Sequence, residues 1–451
     1  MSHSVSYRVS LAKGPLSAVV PVPGSKSVAN RALICAALAT GQSAISNVPS
    51  GDDSASMLRC LTLLGIDVRQ APNDASAVTI AGCAGDLDGQ RPGMSKSGSP
   101  KSGSPKSGSA KLATVLDTQL AGTTSRFLTA LVALGTIPVL IDGAAALRAR
   151  PMGPLHDALR ALGVDVRSST VPGTLPVTIQ GPIAVRQADI SIRGDISSQY
   201  ISALMMIGPY LEHGLSIRLT TPLVSRPYVA ITQSVMAAFG HRDVAIDADE
   251  VRIGPGRYSG CEFVVEPDAS SASYPLAAAA MCGGSVTVNG LTATSTQGDT
   301  AFCGVLEAMG CTVTQDDRST TVSRDSVELR GIDIDMVDMS DLVPTLAVVA
   351  TSATTTTTIR GVGFIRSKES DRLGDLCHEL RTAGADAEEL DDGLRIHPSR
   401  LHAAFLHTHH DHRLAMAFGL LGLVVDGIEI DNPTVVSKSW PEFWSVLEAL
   451  S

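Results

Sequence analysis

Residues 25–39, SKSVANRALICAALA, open with hydroxyl and cationic side chains and continue as a helical stretch rich in alanine and leucine. The same pattern recurs at intervals of about 70 to 100 residues, a period that indicates a repeated supersecondary unit. The five further copies are TTSRFLTALVALG from Thr123, SSQYISALMMIG from Ser197, SSASYPLAAAAMCG from Ser270, SDLVPTLAVVA from Ser340 and DHRLAMAFGLLG from Asp411.

A second helix follows the first in most of these units. Its apolar residues recur at i, i+3 and i+4, which is typical of an amphipathic helix. Each copy ends at a glycine, where a left-handed C-cap is expected. These glycines are Gly65, Gly163, Gly240, Gly310 and Gly384. The chain is therefore predicted to be an α/β protein built from six βαβ-type units.

Length and composition restrict the class of protein. A chain of 451 residues exceeds what one hydrophobic core usually organises, so two domains of roughly 200 residues each are expected. Hydrophobic residues make up 44% of the chain but aromatic residues only 4%, so packing must depend on small aliphatic side chains. The net charge of −10 disfavours nucleic-acid binding, because neutralising phosphates requires a basic surface.

Cysteine spacing and hydropathy favour a cytoplasmic location. The eight cysteines contain no C-x-x-C pair, so neither a disulfide framework nor a zinc site is indicated. The N-terminal sequence MSHSVSYRVS lacks the apolar core of a signal peptide. The long uncharged stretch from Leu342 to Ile359 contains Pro344 and many threonines, which suits a helix followed by a strand better than a membrane span.

One interval between units is over-long and contains three copies of a five-residue repeat, KSGSP, KSGSP and KSGSA, from Lys96 to Ala110. Such a sequence cannot bury apolar area, so a disordered, solvated loop without a catalytic role is expected. A basic docking segment is the functional alternative.

The openings of the six units indicate an anion site. A helix N-terminus offers unpaired N–H groups and the positive end of the helix dipole. One such opening is only an N-cap, but six aligned openings would bring charged groups together. These groups are Lys26, Arg31, Arg126, Asp341, His412 and Arg413. A nucleotide is disfavoured, because PGSKSVANR is not a P-loop and no G-x-G-x-x-G follows a strand.

Nine motifs in order resemble those of the EPSP synthase family of enolpyruvyl transferases. They are PGSKSVANRAL, LAGTTSR, ALRARPMGPL, GDISSQY, LVSRPY, DASSASY, RSKESDRL, DHRLAM and SKSWPEF, and they cover nearly the whole chain. The resemblance implies a two-domain inside-out α/β barrel with three units per domain. One domain would span residues 23–266, and the other would combine residues 1–22 with 267–451.

The resemblance also implies the reaction and its partners. The enolpyruvyl group of phosphoenolpyruvate would be transferred to the 5-hydroxyl of shikimate 3-phosphate, giving 5-enolpyruvylshikimate 3-phosphate and phosphate. This step belongs to the shikimate pathway to chorismate and the aromatic amino acids, and the family is the target of glyphosate. A monomer is expected, with no cofactor, no metal, no nucleic acid and no membrane.

Site residues follow from the resemblance motif by motif. Shikimate 3-phosphate would be bound by Lys26, Ser27, Arg31, Ser197, Ser198, Gln199, Ser225, Tyr228, Asp341 and Lys368. Phosphoenolpyruvate would be bound by Lys26, Gly122, Arg126, Arg150, Gln199, Arg372, Arg413 and Lys438. Independently, a phosphate and a carboxylate require several cations, and arginine offers both of them two parallel hydrogen bonds. Arg148, beside Arg150, is expected to face solvent.

The reaction is an addition–elimination, which requires an acid–base pair. Asp341 is the candidate base near the hydroxyl, and Glu369 is the candidate proton donor to C3. Lys26 and His412 would stabilise charge on the phosphate. Which carboxylate serves which step stays open. An ion pair with Arg372, three residues further on, is the structural alternative for Glu369.

Some features depart from these motifs or invite another interpretation. The run HTHHDH, residues 407–412, invites a metal site, but it has no partner cysteine or carboxylate pair nearby. Leu120 and Phe127 stand where many family members have asparagine and proline, and Phe364 stands where a polar residue commonly contacts the shikimate phosphate. Glyphosate sensitivity and that phosphate contact are therefore open.

Two alternatives to this function stay open. The first is the sister family of UDP-N-acetylglucosamine enolpyruvyl transferases, which share the fold and the donor. That family typically carries a reactive cysteine in a loop beside the phosphoenolpyruvate site, and no cysteine here lies in a comparable loop. The second is a non-catalytic anion-binding repeat protein, which would not need Asp341, Glu369 and His412 beside the cations.

Overall fold

The computed structural model describes residues 6–90, 114–185 and 188–451. The repeat from Lys96 to Ala110 lies outside the described residues.

The helices follow the predicted pattern of a first and a second helix in each unit. In chain order the α-helices of the described ranges are Lys26–Leu38 (α1), Asp52–Leu63 (α2), Gly122–Leu131 (α3), Ala145–Arg148 (α4), Gly153–Ala161 (α5), Ser198–Ile207 (α6), Pro227–Ala238 (α7), Ala269–Cys282 (α8), Phe302–Ala308 (α9), Val343–Ala350 (α10), Gly374–Thr382 (α11), His412–Val424 (α12) and Phe443–Leu450 (α13). Within those ranges, no helix is both long enough and apolar enough to cross a membrane.

The strands are short and numerous. In chain order those of the described ranges are Ser6–Arg8 (β1), Leu16–Val19 (β2), Gln42–Ser46 (β3), Asp67–Ala71 (β4), Asp74–Ala81 (β5), Thr114–Asp117 (β6), Val139–Asp142 (β7), Asp165–Ser168 (β8), Val177–Gln180 (β9), Asp189–Ile192 (β10), Leu215–Leu219 (β11), Val244–Ile246 (β12), Glu250–Ile253 (β13), Glu262–Val264 (β14), Gly284–Asn289 (β15), Thr312–Gln315 (β16), Ser319–Arg324 (β17), Asp333–Asp335 (β18), Thr357–Arg360 (β19), Asp386–Leu390 (β20), Gly393–His397 (β21), Ala404–Leu406 (β22) and Ile428–Asp431 (β23).

These strands form six small sheets, one for each predicted unit. Five have four strands with one order, as in β6-β7-β9-β8. The first two strands are parallel and flank the first helix, and the last two form an antiparallel hairpin after the second helix. The sequence predicted the strand–helix–strand part of the unit but not the closing hairpin.

Three strands complete sheets that are remote from them in sequence. β14 pairs in parallel with β3, and β2 pairs in parallel with β15. β1 pairs antiparallel with β23 and completes the three-stranded sixth sheet. The chain therefore crosses twice between its halves, and the two crossing segments run side by side through a bridge between Gly24 and Pro267.

Buried apolar residues form two separate cores. One draws its buried residues from positions 28–265, and the other from positions 9–20 and 269–450. The first helices of the units are almost entirely buried, as in α8, where every residue from Ala269 to Met281 is buried. A helix that is apolar on all sides belongs inside. Because alanine dominates α8, neighbouring helices can approach closely, and the sheets take the outer positions.

Two local predictions are confirmed. The glycines that end the second helices have positive φ, from 83° at Gly163 to 111° at Gly310, the conformation that glycine adopts without strain. The uncharged stretch from residue 342 to 359 forms helix α10 followed by strand β19, with β19 ending at Arg360.

Candidate active site

A polar pocket lies between the two halves of the chain, at the N-terminal ends of their buried helices. The first half lines it with Lys26, Ser27, Asp53, Gly122, Thr123, Arg150, Ile196, Ser197, Ser198, Gln199, Val224, Ser225 and Tyr228. The second half lines it with Asp341, Phe364, Lys368, Glu369, Arg372, His412 and Arg413. The structure thus brings most of the predicted site residues together.

Helix N-termini build part of the pocket, as the repeated openings predicted. Lys26 is the first residue of α1. Ser197 caps α6, and its hydroxyl accepts a hydrogen bond from the backbone N–H of Gln199 at 3.3 Å. Asp411 caps α12, and its carboxylate accepts from the N–H of Arg413 at 2.9 Å. Each terminus brings the positive end of a helix dipole to the pocket wall.

Arg372 is the centre of an ion-pair network on the second half. Its side chain is 2% exposed and contacts three carboxylates. Its Nε lies 2.7 Å from Asp411, its Nη1 2.9 Å from Asp341 and its Nη2 2.8 Å from Glu369. Burial disfavours the charge, but the three carboxylates hold the pKa of Arg372 far above its usual value. Arg372 is therefore a fixed cation.

Glu369 contacts cations from both halves. Oε1 lies 2.6 Å from Lys438 Nζ and 3.3 Å from Arg150 Nη1, and Oε2 lies 2.8 Å from Arg372 Nη2. Burial favours the protonated form, but the surrounding positive charge, from Lys438 first, holds the pKa of Glu369 well below its usual range. The ion pair with Arg372 that the sequence left as an alternative is present, as one of three.

Asp341 is ionised for the same reason. Arg413 Nη2 lies 2.7 Å from Oδ2, and Lys368 Nζ lies 3.7 Å from Oδ1. Burial again opposes ionisation, but Arg413, Lys368 and Arg372 hold the pKa of Asp341 well below its usual range. The hydroxyl of Tyr228, from the other half, donates to Asp341 at 3.4 Å.

The cations of the first half have fewer partners. Lys26 Nζ pairs with Asp53 at 2.9 Å, and Arg126 Nη1 donates to the side-chain oxygen of Gln199. Burial lowers the pKa of Arg126 to about 10, so it is still a cation at neutral pH. Arg150 is 12% exposed.

Gly122 leaves room for these arginines. A Cβ at this position would lie 2.8 Å from Nη1 of Arg150 and 3.4 Å from Nη1 of Arg126.

Arg148, which was predicted to face solvent, is 49% exposed and pairs with Asp142.

His412 has an unusual environment for a histidine. It is 2% exposed, and neither ring nitrogen has a hydrogen-bond partner. Burial and the nearby charges of Lys438, Lys26 and Arg413 hold the pKa of His412 well below its usual range, so the ring is neutral. Among the described residues, no group of three or more His, Cys, Asp or Glu side chains is arranged to hold a metal ion.

Arg31 does not line the pocket, and its contact with shikimate 3-phosphate stays a prediction. Arg31 is 1% exposed. It donates to Thr232 Oγ1 at 2.7 Å, to the carbonyl of Ser27 at 2.7 Å, to Ser202 Oγ at 3.1 Å and to the carbonyl of Tyr228 at 3.1 Å. Because these acceptors direct its N–H groups into the protein, Arg31 supports two pocket residues from behind.

Arg126 and Lys438 are also absent from the lining but contact residues that line it.

The residues that departed from the motifs occupy different environments. Leu120 is 44% exposed. Phe127 is buried beneath the guanidinium of Arg31, 5.2 Å from the ring centroid. Only Phe364 reaches the pocket, where Lys368 Nζ lies 5.9 Å from its ring centroid.

Two carboxylates of the network were missed by the sequence analysis. Asp53, 4% exposed, pairs with Lys26; its sequence context is that of any acid in a first helical turn, so it carried no signal. Asp411 is completely buried and holds Arg372. Its position in the motif DHRLAM was a usable signal, because it directly precedes His412.

Comparisons with solved structures define the class of protein first. The EPSP synthase from Acinetobacter baumannii superposes with a TM-score of 0.79 at 24% identity, covering 99% of this chain and 98% of that one. The enolpyruvyl transferase NikO from Streptomyces tendae gives a TM-score of 0.72 at 18% identity, with coverage of 99% and 98%. The fold is therefore that of the enolpyruvyl transferases.

Sequence comparisons give the family. The model of EPSP synthase, 3-phosphoshikimate 1-carboxyvinyltransferase, matches residues 11–447. The 3-phosphoshikimate 1-carboxyvinyltransferase of Methanoculleus marisnigri is 40% identical over 435 residues, or 96% of this chain and 97% of the relative. That of Trichormus variabilis is 39% identical over 432 residues, or 96% of each. The chain belongs to the EPSP synthase family.

Proposed function

We propose that the pocket between the two halves is where this chain carries out its family's reaction. The chain is a 3-phosphoshikimate 1-carboxyvinyltransferase, which transfers the enolpyruvyl group of phosphoenolpyruvate to the 5-hydroxyl of shikimate 3-phosphate. The observation that carries the assignment to this pocket is the network of cations from both halves around Glu369 and Asp341. Two anionic substrates need such a concentration of positive charge.

The phosphoenolpyruvate site of this proposal lies around Glu369. The residues are Lys26, Gly122, Arg126, Arg150, Gln199, Arg372, Arg413 and Lys438. The support is that Arg150, Arg372 and Lys438 already converge on one carboxylate. The carboxylate of Glu369 occupies the place where a phosphate or carboxylate of the substrate would find the same cations. When phosphoenolpyruvate binds, one of its anionic groups then replaces the carboxylate of Glu369 as the partner of these cations.

The shikimate 3-phosphate site of this proposal lies mainly against the first half. The residues are Lys26, Ser27, Ser197, Ser198, Gln199, Ser225, Tyr228, Asp341 and Lys368, with Arg31 acting behind Ser27 and Tyr228. The support is a wall rich in hydroxyl and amide groups, which matches a polyhydroxylated ring better than more cations would.

The acid–base steps follow from the charge states. The 5-hydroxyl oxygen bonds to C2 of phosphoenolpyruvate as C3 gains a proton; then the bond from C2 to the phosphate oxygen breaks as C3 loses a proton. Asp341, which its cationic neighbours keep ionised, is suited to accept the hydroxyl proton. Glu369 is also ionised, so it must first gain a proton to donate one. Substrate anions that attract Arg150, Arg372 and Lys438 favour that gain, because they remove the charge that stabilises the carboxylate.

Charge on the departing phosphate needs donors and cations. Lys26 and His412 serve this role in the proposal, since both line the pocket. The neutral His412 ring retains one N–H that can donate to the phosphate.

The domain boundaries are also a proposal. One domain spans residues 23–266, and the other combines residues 1–22 with 267–451. The two separate apolar cores support this division. A cytoplasmic monomer is proposed as well, with the eight free cysteines consistent with a reducing compartment.

An assay of phosphate release tests the function. Purified enzyme is given phosphoenolpyruvate with shikimate 3-phosphate, or with UDP-N-acetylglucosamine as the alternative acceptor. Release is expected only with shikimate 3-phosphate. If phosphate is released with UDP-N-acetylglucosamine but not with shikimate 3-phosphate, the assignment moves to the sister family. If phosphate is released with neither acceptor, only anion binding is left.

A further inference from the structure

The turn that precedes α12 has a strained backbone. It contains the histidine-rich run, residues 407–412, that the active-site assignment used only at His412. His409 and His410 are consecutive non-glycine residues with φ of 49° and 58°. The left-handed region costs about 1–2 kcal/mol per residue for L-amino acids, so surrounding contacts must hold the turn in this form.

A buried acid on a neighbouring helix supplies those contacts. Glu379 of α11 is 1% exposed. Its Oε2 accepts from the backbone N–H of His407 at 3.0 Å, and its Oε1 lies 2.8 Å from Nε2 of His409. The other ring nitrogen of His409 lies 3.5 Å from Asp375, one turn earlier on the same helix. A single carboxylate therefore holds both the backbone and the side chain of the turn.

The neighbouring histidines have other partners. The His407 ring pairs with Asp431 at 2.9 Å. His410 is exposed, and its Nδ1 lies 3.1 Å from the side-chain nitrogen of Asn432. His410 shares the left-handed backbone of His409 but has no contact with Glu379, which makes it a matched control.

The turn sets the position of Asp411. The N–H of Asp411 donates to the carbonyl of Thr408 at 2.8 Å within the turn. The carboxylate of Asp411 then accepts from Nε of Arg372 at 2.7 Å and from the N–H of Arg413 at 2.9 Å. Because Asp411 is completely buried, a shift of the turn would move Arg372 with it.

We propose that Glu379 and His409 are positioning residues for phosphoenolpyruvate, acting through the turn and Asp411 on Arg372. Neither residue lines the pocket. The inference depends on the proposed role of Arg372 in binding phosphoenolpyruvate.

Steady-state kinetics with both substrates varied test the proposal. His409→Ala removes the ring contact to Glu379 and leaves the strained backbone, and we expect it to raise the KM for phosphoenolpyruvate about tenfold, as loss of a hydrogen bond to a charged group would. The KM for shikimate 3-phosphate should change less than twofold. His409→Asn should restore the KM to within about threefold of wild type, because asparagine tolerates the left-handed region and keeps a donor.

Two further variants separate this role from a general effect on folding. His410→Asn should behave like wild type in both KM values. Glu379→Gln keeps the shape of the acid but loses its charge, so it should raise the KM for phosphoenolpyruvate even if His409→Ala does not fold.

A lower melting temperature with both KM values unchanged in His409→Ala and Glu379→Gln would overturn the proposal and leave the pair a purely structural contact. Equal increases in both KM values would overturn it too. Wild-type enzyme without phosphate release would instead be a failure of the proposed function, which the wild-type assay detects before any variant is made.

Discussion

The two walls of the pocket are built on different chemical principles. On the first half, Lys26 pairs with Asp53, Arg126 contacts the uncharged Gln199 and Tyr200 side chains, and uncharged donors occupy most of the surface. On the second half, Lys368, Arg372, Arg413 and Lys438 share the carboxylates of Asp341, Glu369 and Asp411. The first wall is ready to donate to a ligand, whereas the second is neutralised internally and must exchange partners to bind one.

This difference explains how the protein keeps so many cations close together. Like charges at these distances would repel strongly in a buried site. Carboxylates from separate segments remove that repulsion and also include the groups proposed for acid–base catalysis. Contacts such as that of Arg150 with Glu369 join the two walls, so each wall also neutralises charge on the other.

The largest effect is expected from removing the centre of the second wall. Arg372→Gln leaves the buried carboxylate of Asp411 and the half-buried carboxylates of Asp341 and Glu369 without their shared cation. Loss of one partner of a buried ion pair typically costs about 3–5 kcal/mol, and enzyme activity should be lost. Chemical denaturation and phosphate release measure the two effects. Arg366→Gln is the control, because Arg366 forms ion pairs of the same kind at 31% exposure. Equal stabilities of the two variants would refute the central role of Arg372.

On the first wall, Lys26→Met should reduce kcat by at least about a hundredfold, as loss of a key electrostatic contact does. The fold should persist, because Lys26 has a single ionic partner, Asp53. Turnover and melting temperature are measured together, with the exposed Lys13→Met as the control. Near-wild-type turnover of Lys26→Met would contradict the assignment of this pocket as the active site.

Coupling between the walls should be intermediate in size. Shikimate 3-phosphate is expected to draw the halves together, so that glyphosate, a competitor of phosphoenolpyruvate, binds about tenfold tighter afterwards, within the usual range of coupling energies. Trp440 and Trp444 follow Lys438 closely, and their fluorescence reports the titration.

Arg150→Gln, which removes the ion pair between the walls, should reduce this coupling, whereas Arg148→Gln should retain it. Identical dissociation constants with and without shikimate 3-phosphate in the wild type would show that closure does not couple the sites.

The smallest effect concerns a carboxyl at the junction of the halves. Burial first, and then the charge of Asp341, raises the pKa of Asp299 to about 7, and Oδ2 of Asp299 accepts from the hydroxyl of Ser270. The folded protein therefore holds a proton that the unfolded chain releases near pH 4. The free energy of unfolding therefore decreases as pH rises from about 4 to 7. Above about pH 7 the whole cost of burying the ionised carboxylate of Asp299 is present.

Asp299→Asn removes that cost and keeps an acceptor for Ser270. The variant should gain about 1–4 kcal/mol over wild type at pH 8, because a shift of three pKa units corresponds to about 4 kcal/mol at most, and it should gain little at pH 4.5. Melting curves across this pH range provide the measurement, with Asp317→Asn, an exposed position, as control. A difference that does not grow with pH would show that Asp299 is ionised throughout.

Local features of the fold were predictable from the sequence because they depend on short-range patterns. The repeated openings, the amphipathic second helices and the glycines at positions such as 65 and 163 required only periodicity and backbone preference. The closing hairpins were missed, because their strands are short and partly exposed, as in β8, and carry little apolar signal. The ordered motifs identified most of the residues of the site, but they did not show which residues form ion pairs with one another.

The sequence by itself determined the six-unit architecture, the set of cations and the family to which the motifs belong. The tertiary structure decided which of these residues meet. It places Arg372 against carboxylates from positions 341, 369 and 411, turns Arg31 away from the pocket and joins His409 to Glu379. Those contacts depend on the direction of side chains on helices that pack side by side, and sequence periodicity records the face of a helix but not its neighbour.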